Sequence, residues 1–212
     1  MGNSSPQSSP LHEEERRTLR TSRLNISSVL LAGGESRRMG KDKATVLFRG
    51  KPLWQIQLEL LRKLEPEEIF VSTRTDPIWR PADVQFLADD PPSRGPLSGL
   101  AASLARMRSA HLLALAIDMP FMTESYVRYL CDQIEPHVGV VPKIDHRAEP
   151  LAAIYPREAK VDFREALAGD DFSLQTLVRR LVAAGKLREI VVKEQQRKLF
   201  LNVNQLSDLA AL

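Results

Sequence analysis

From Ile26 onward, short apolar runs alternate with stretches of helical spacing. That arrangement builds an α/β domain with a mostly parallel central sheet flanked by helices. Ile26 to Ala32 predicts the first strand, with Glu68 to Thr73 and Val84 to Ala88 as the next two. In His111 to Ile117 the run Leu112-Leu113-Ala114-Leu115-Ala116-Ile117 has no polar break, which predicts a central strand buried on both faces. Val138 to Pro142, Ile190 to Val192 and Leu199 to Leu201 predict further strands. Helices are expected from Pro52 to about Leu64, from Gly95 to about Met107, and over Glu124 to Gln133, Val161 to Ala168 and Ser173 to Ala184. In the first of these, Leu53, Ile56, Leu60 and Leu61 recur at helical spacing and face the core, and Trp54 is read as packing. Pro52 suits its first turn, and Ser173 suits an N-cap.

Residues 1–24 lack this periodicity and are rich in Ser, Pro, Glu and Arg, so they are expected to form a flexible extension before one domain over 25–212. A chain of 212 residues with 43% hydrophobic and 27% charged positions can bury its own core. The net charge of +3 gives little support to a surface that tracks nucleic acid. Cys131 is the only cysteine, so neither an intrachain disulfide nor a cysteine metal site is available. No apolar run approaches the length of a membrane span, and a cytoplasmic location is expected.

The chemistry concentrates after the first strand. Val29-Leu30-Leu31-Ala32 empties into a loop carrying Gly33, Gly34 and Gly40 together with Arg37, Arg38, Lys41 and Lys43. Glycines let backbone amides approach a ligand and the cations supply countercharge, which together suit phosphate. A Walker A loop is excluded, because Gly34 and Gly40 enclose five residues and Asp42 follows Lys41. The dinucleotide pattern fails too, since Gly33 and Gly34 are adjacent. Strand ends carry further polar groups, Ser72 and Thr73 after one strand and Asp89 and Asp90 after the next. In a doubly wound sheet that is where ligands sit. Asp118, closing the central strand before Pro120, suits either a hard divalent cation or the N-cap of the next helix.

Leu31-Ala32-Gly33-Gly34-x-Ser36-x-Arg38-Met39-Gly40-x-Asp42-Lys43 resembles the signature of the molybdenum cofactor guanylyltransferases, within the wider nucleotidyltransferase superfamily. The resemblance extends from about Ile26 to the C-terminus. It implies a single Rossmann-like nucleotidyltransferase domain, and it assigns roles to residues. Arg38, Lys43 and Asp118 become catalytic candidates, with Asp118 holding Mg²⁺ at the Asp-x-Pro motif. Leu31, Ala32, Gly33, Gly34, Ser36, Lys43, Ser72, Asp90, Gly95, Gly99 and Asp118 are implied to surround the nucleotide. Ser72 stands where relatives commonly have asparagine, and Gly95-Pro96-Leu97-Ser98-Gly99 matches the family's second glycine segment. Glu149-Pro150-Leu151-Ala152-Ala153-Ile154-Tyr155 and Asn202-Val203-Asn204 resemble the stretches that face the acceptor. Glu149, Asn202 and Asn204 are therefore acceptor candidates, with Lys143 and Arg147 nearby in sequence. His146 has no carboxylate partner recognisable in the sequence.

The implied reaction moves GMP from GTP to the terminal phosphate of Mo-molybdopterin and releases pyrophosphate. Leu31-Ala32-Gly33-Gly34 looks like the guanylyl version of a loop that reads Leu-Ala-Ala-Gly in cytidylyl relatives. The alternatives are CTP or another phosphorylated acceptor, or a non-catalytic nucleotide-binding adaptor for molybdoenzymes. GTP and molybdopterin are the expected partners, with transient contact to molybdenum-insertion proteins or apo-molybdoenzymes.

Overall fold

The structure is a computed structural model that describes residues 25–33, 42–89 and 92–203. Strand β1 (Ile26–Leu31) is buried at every position. Ile26 and Leu30 join one apolar cluster, while Val29 and Leu31 join another. Alternation along a strand sends successive side chains to opposite faces, so a strand covered on both sides has to be apolar throughout or hydrogen-bonded where it is not. After β1 come the hairpin of β2 (Leu47–Phe48) and β3 (Lys51–Pro52), helix α1 (Leu53–Arg62), β4 (Ile69–Thr73) and β5 (Gln85–Ala88). Helix α2 (Pro96–Arg106) leads back to β6 (His111–Ala116), again buried throughout. The chain continues through α3 (Glu124–Cys131), β7 (Gly139–Ile144), β8 (Arg147–Ala148), β9 (Ile154–Pro156), α4 (Lys160–Ala168), α5 (Leu174–Ala183) and β10 (Leu187–Val191).

The main sheet has the order β10-β7-β9-β6-β1-β4-β5, with β8 paired to β7. β1 runs parallel to both β4 and β6, β5 continues parallel beside β4, and β10 lies parallel to β7. Only β9, wedged between β6 and β7, and the short β8 run the other way. The fold is thus α/β with a mostly parallel sheet. Apolar residues of α1 and α3 cover one face, and those of α2, α4 and α5 cover the other. Strands β1, β4 and β5 spread to one side before α2 returns the chain and places β6 on the opposite side of β1. At such a reversal of strand order a crevice opens beyond the carboxyl ends of the two strands concerned.

Two local expectations change. The apolar residues Leu199 to Leu201 form no strand; they end a 3-10 helix over Glu194–Phe200, with Leu199 and Phe200 buried in the cluster beside α3. So short an apolar run fits either period, and burial of two consecutive side chains decided it. The N-cap of α3 is Thr123, whose Oγ1 accepts from the Tyr126 amide at 3.4 Å. Asp118 is therefore not spent on a helix cap. Ser173 caps α5 as its sequence suggests, accepting from the Thr176 amide at 3.3 Å.

One buried carboxylate ties the amino ends of the central strands together. Glu68 Oε2 accepts from Ser27 Oγ at 3.1 Å and from the Arg108 amide at 3.0 Å, while Oε1 accepts from Arg108 Nε at 3.0 Å. Burial alone would raise this carboxyl, but the bonds from the Arg108 amide, Ser27 and the Arg108 guanidinium outweigh it and hold the group below its usual 4.5. A carboxyl lowered in the folded state stabilises the fold above its unfolded pKa, and that contribution fades as pH falls through the folded value. Glu68→Gln is expected to cost about 1–3 kcal/mol at neutral pH. It should also flatten the loss of stability below pH 4.5; urea unfolding across that range measures both, and an unchanged acid limb would contradict the assignment.

Candidate active site

The crevice predicted by strand order is present. Leu31, Ala32 and Gly33 face Ala116, Ile117 and Asp118 across a cleft of about 160 Å³, which Lys43, Pro96 and Leu151 complete. The alignment comes from strand register: Leu31 pairs with Ala116, and the Ile117 amide donates to the Leu31 carbonyl at 3.1 Å. Lys43 Nζ donates to Asp118 Oδ2 at 2.8 Å, with the two side chains 19% and 20% exposed. Partial burial screens this pair less than a surface ion pair.

Lys43 is aimed by its neighbours. Asp42 caps the short 3-10 turn Lys43–Thr45, its Oδ1 accepting from the Ala44 amide at 2.9 Å. Its Oδ2 accepts from Trp79 Nε1 at 2.8 Å, and Trp79 in turn stacks on Trp54 with ring centroids 5.7 Å apart. Ala44 is buried in the core. With residues on both sides held, the lysine between them is left to reach the cleft. Asp118 is anchored through its own carbonyl, which accepts from the Val203 amide at 2.9 Å. That bond also brings the segment containing exposed Asn202 up against the backbone of Asp118.

Ala32 and Gly33 also form one end of a wider groove of about 510 Å³, bounded by Asp42 and Thr45 on one side and by Thr73, Arg74 and Trp79 on the other. The two concavities share Ala32 and Gly33 and lie side by side, and the wider one is of small-molecule size.

Among the remaining sequence candidates, Leu31 packs in an apolar cluster at 7% exposure and contributes to the cleft wall. Ser72 and Gly99 each have a packing role. Ser72 is 1% exposed and its hydroxyl donates to Asp89 Oδ1 at 2.8 Å, so that donor is engaged within the protein. A Cβ on Gly99 would lie 2.3 Å from Ser72 Oγ and 2.9 Å from Leu31 Cδ2. The absence of a side chain at Gly99 therefore lets α2 press onto β1 and β4. At Gly33 a Cβ would stand 3.1 Å from Asp89 Oδ2, so the space beside that glycine is bordered by a carboxylate. Asp89 is the residue that sequence reasoning undervalued: buried, bonded to Ser72 and also to Ser93 at 3.2 Å, it links the cleft to the segment before α2. Its signal was the paired acids at a strand end. Gly95 takes φ +63° just before Pro96 opens α2 at the cleft.

On the acceptor side, the Glu149 amide donates to the Pro142 carbonyl at 2.8 Å, and burial raises its carboxyl, partly offset by Arg147. Lys143 is engaged with Glu189 at 2.7 Å and joins β7 to β10, whereas His146 and Arg147 are exposed. Gly34, Ser36, Arg38, Asp90 and Asn204 lie outside the described residues. Among the described residues no group of three or more His, Cys, Asp or Glu gathers as a metal cage. Asp118 offers one carboxylate, which fits Mg²⁺, an ion commonly held by one or two carboxylates with substrate phosphates and water completing its shell. Cys131 is buried and its thiol is pushed up to about 12, so it is no nucleophile.

A family model described as a MobA-like NTP transferase domain matches residues 28–190. A probable molybdenum cofactor guanylyltransferase of Opitutus terrae is 33% identical over 186 residues, covering 86% of this chain and 92% of that relative. A protein of the same name from Methanosarcina acetivorans is 29% identical over 201 residues, covering 88% of this chain and 89% of its own length. The crystal structure of molybdopterin-guanine dinucleotide biosynthesis protein A from Archaeoglobus fulgidus superposes with a TM-score of 0.70 at 22% identity, covering 88% of this chain and 95% of that one. At that identity the superposition speaks for the fold. No helix among the described residues is long and apolar enough to cross a membrane.

The packing of α2 under the cleft can be tested directly. Gly99→Ala is expected to cost about 1–3 kcal/mol, the usual penalty for overfilling a packed interface. Ser72→Ala in the same chain should return part of that loss, because the closest obstacle is Ser72 Oγ. A double-mutant cycle by denaturant unfolding checks it, and strictly additive effects would rule out the contact.

Proposed function

Because the chain belongs to the MobA-like NTP transferase family and is similar over most of its length to probable molybdenum cofactor guanylyltransferases, we propose that this enzyme transfers GMP from GTP to the terminal phosphate of Mo-molybdopterin and releases pyrophosphate. The observation that carries the reading is the Lys43–Asp118 pair, 2.8 Å apart where β1 and β6 end. It sets a cation and an anion side by side in the narrower of two adjoining concavities. The wider groove, with Thr73, Arg74 and Trp79 along one wall, is assigned to the nucleoside, and the narrow cleft to the phosphates.

Attack on the α-phosphorus spreads charge over nonbridging and leaving oxygens, so the protein's task is positioning and electrostatic stabilisation. Lys43 is the cation for that charge within the cleft, and Arg38 is proposed to join it on the departing phosphates. Asp118 would hold Mg²⁺, which supplies charge neutralisation at the phosphates when bound. The nucleophile is a phosphate monoester with a second pKa of about 6, so at neutral pH it is largely ionised and needs no general base. Accordingly, the reading asks nothing of His146 or of Glu149 as a base. Glu149, Asn202 and Asn204 are proposed to line the acceptor's side, since the peptide bond to Asn202's neighbour Val203 abuts Asp118.

The test is to incubate the protein with molybdopterin, Mg²⁺ and each nucleoside triphosphate separately and to assay pyrophosphate. Release with GTP is expected. Release with CTP alone would replace guanylyl by cytidylyl transfer, and no release with GTP would end the reading. Asp118→Asn should lower kcat by about 10²–10³-fold, the scale for losing one preorganised electrostatic group. Lys43→Ala should both raise KM for GTP and lower kcat, with thermal melts showing that each variant is folded.

A further inference from the structure

Away from the nucleotide channel, a trough of about 390 Å³ lies between α2 and α4. Its floor is made by Ala101, Ala102 and Ala105 of α2, with Leu167 of α4 at its side. Three alanines on one helix face leave a hollow where longer side chains would fill the space. Around it stand Arg94, Lys160 and Arg164, and among the described residues no carboxylate lines it.

The missing countercharge has a structural cause. Each acid on α4 is turned elsewhere: Asp162 pairs with Lys186 at 2.5 Å and Glu165 with Arg180 at 3.6 Å. Glu158, just before the helix, pairs with His137 at 2.6 Å. Lys160 and Arg164, one turn apart on α4, are left without an ion-pair partner among the described residues. Arg94 is held at the trough by its guanidinium, 4.1 Å above the Phe172 ring, and by its amide, which donates to Ser98 Oγ at 2.8 Å. Like charges gathered round a hollow repel one another, and a bound anion relieves that repulsion. Guanidinium groups match phosphate and carboxylate oxygens in pairs, and the volume falls in the range of small-molecule sites.

We propose that this trough binds a small, multiply charged anion bearing phosphate or carboxylate groups, with its apolar part against the alanine floor. The site is separate from the nucleotide channel, and none of its residues takes part in the proposed transfer.

Calorimetric titration of the full chain with tripolyphosphate, and separately with citrate, without divalent cation and at low salt, tests it. At least one probe should bind saturably, and K160A/R164A should weaken that binding by about tenfold or more, as expected for losing charge-assisted contacts. The better probe then tells phosphate from carboxylate. R179A/K198A removes two exposed cations elsewhere and should leave the binding as it was. Lys43→Ala should spare the trough while weakening GTP, so failure here and failure of the guanylyl reading give different results. Binding of both probes unchanged in K160A/R164A, or weakened as much in R179A/K198A, would overturn the proposal.

Discussion

The parallel pairing of β1 with β6 is the constraint on which the rest depends. Both strands are buried on both faces, and their register sets Leu31 beside Ala116. A one-residue slip would turn the side chains of β1 to the wrong faces and bury its apolar residues against the wrong helices. Register is therefore held by the whole core. The residues just past the two strand ends, Gly33 on one side and Asp118 on the other, inherit that precision without contributing to it. The crevice is a consequence of topology, and the chemistry is installed at its rim.

Rigid strands alone do not place a long side chain. Lysine has four rotatable bonds, and pointing its ammonium at Asp118 costs side-chain entropy. The turn that carries it reduces the backbone part of that cost. Asp42 serves both as a cap and as an acceptor for Trp79, so an aromatic stack on the outer side of the channel steadies a cation on its inner side. Beneath the same channel, Asp89 gathers Ser72 and Ser93 and lets α2 close down on Gly99. A polar trio in so apolar a place is tolerable because its bonds are made within the protein.

Much of this was legible in the sequence, and the limits have physical reasons. β6 announced itself because an unbroken apolar run ending in Asp-x-Pro leaves few other structures to choose from. The composition of the basic glycine loop drew attention to Lys43, which lines the cleft beside Asp118. The Ser72–Asp89 bond was not foreseen because alternation reveals that a strand has two faces but not what each side chain meets across to the next strand. Asp42 and Trp79 were missed as a pair because they are distant in sequence and neither has an unusual setting of its own. Leu199 to Leu201 looked like a strand because a run that short carries no period. The trough between α2 and α4 was invisible for a similar reason: its cations lie on separate segments, and its hollow depends on which way the acids of α4 turn.

The Lys43–Asp118 pair also bears on how such a site can be both stable and ready to change partners. Taking two opposite charges partly out of water costs about what their attraction returns, so the pair adds little to the stability of the fold. Removing Lys43 is different, because Asp118 is then left partly buried without this countercharge. A carboxylate in that position favours having a cation beside it, whichever cation is offered. Lysine fulfils the need from within the chain, at 2.8 Å. In the proposed reaction a cation and a phosphate would replace both halves of the pair: the carboxylate would exchange one positive partner for another, and the ammonium one anion for another. Neither group would then need to pass through an unpaired state that its surroundings penalise, which is how a narrow, partly buried cleft could accept a highly charged ligand.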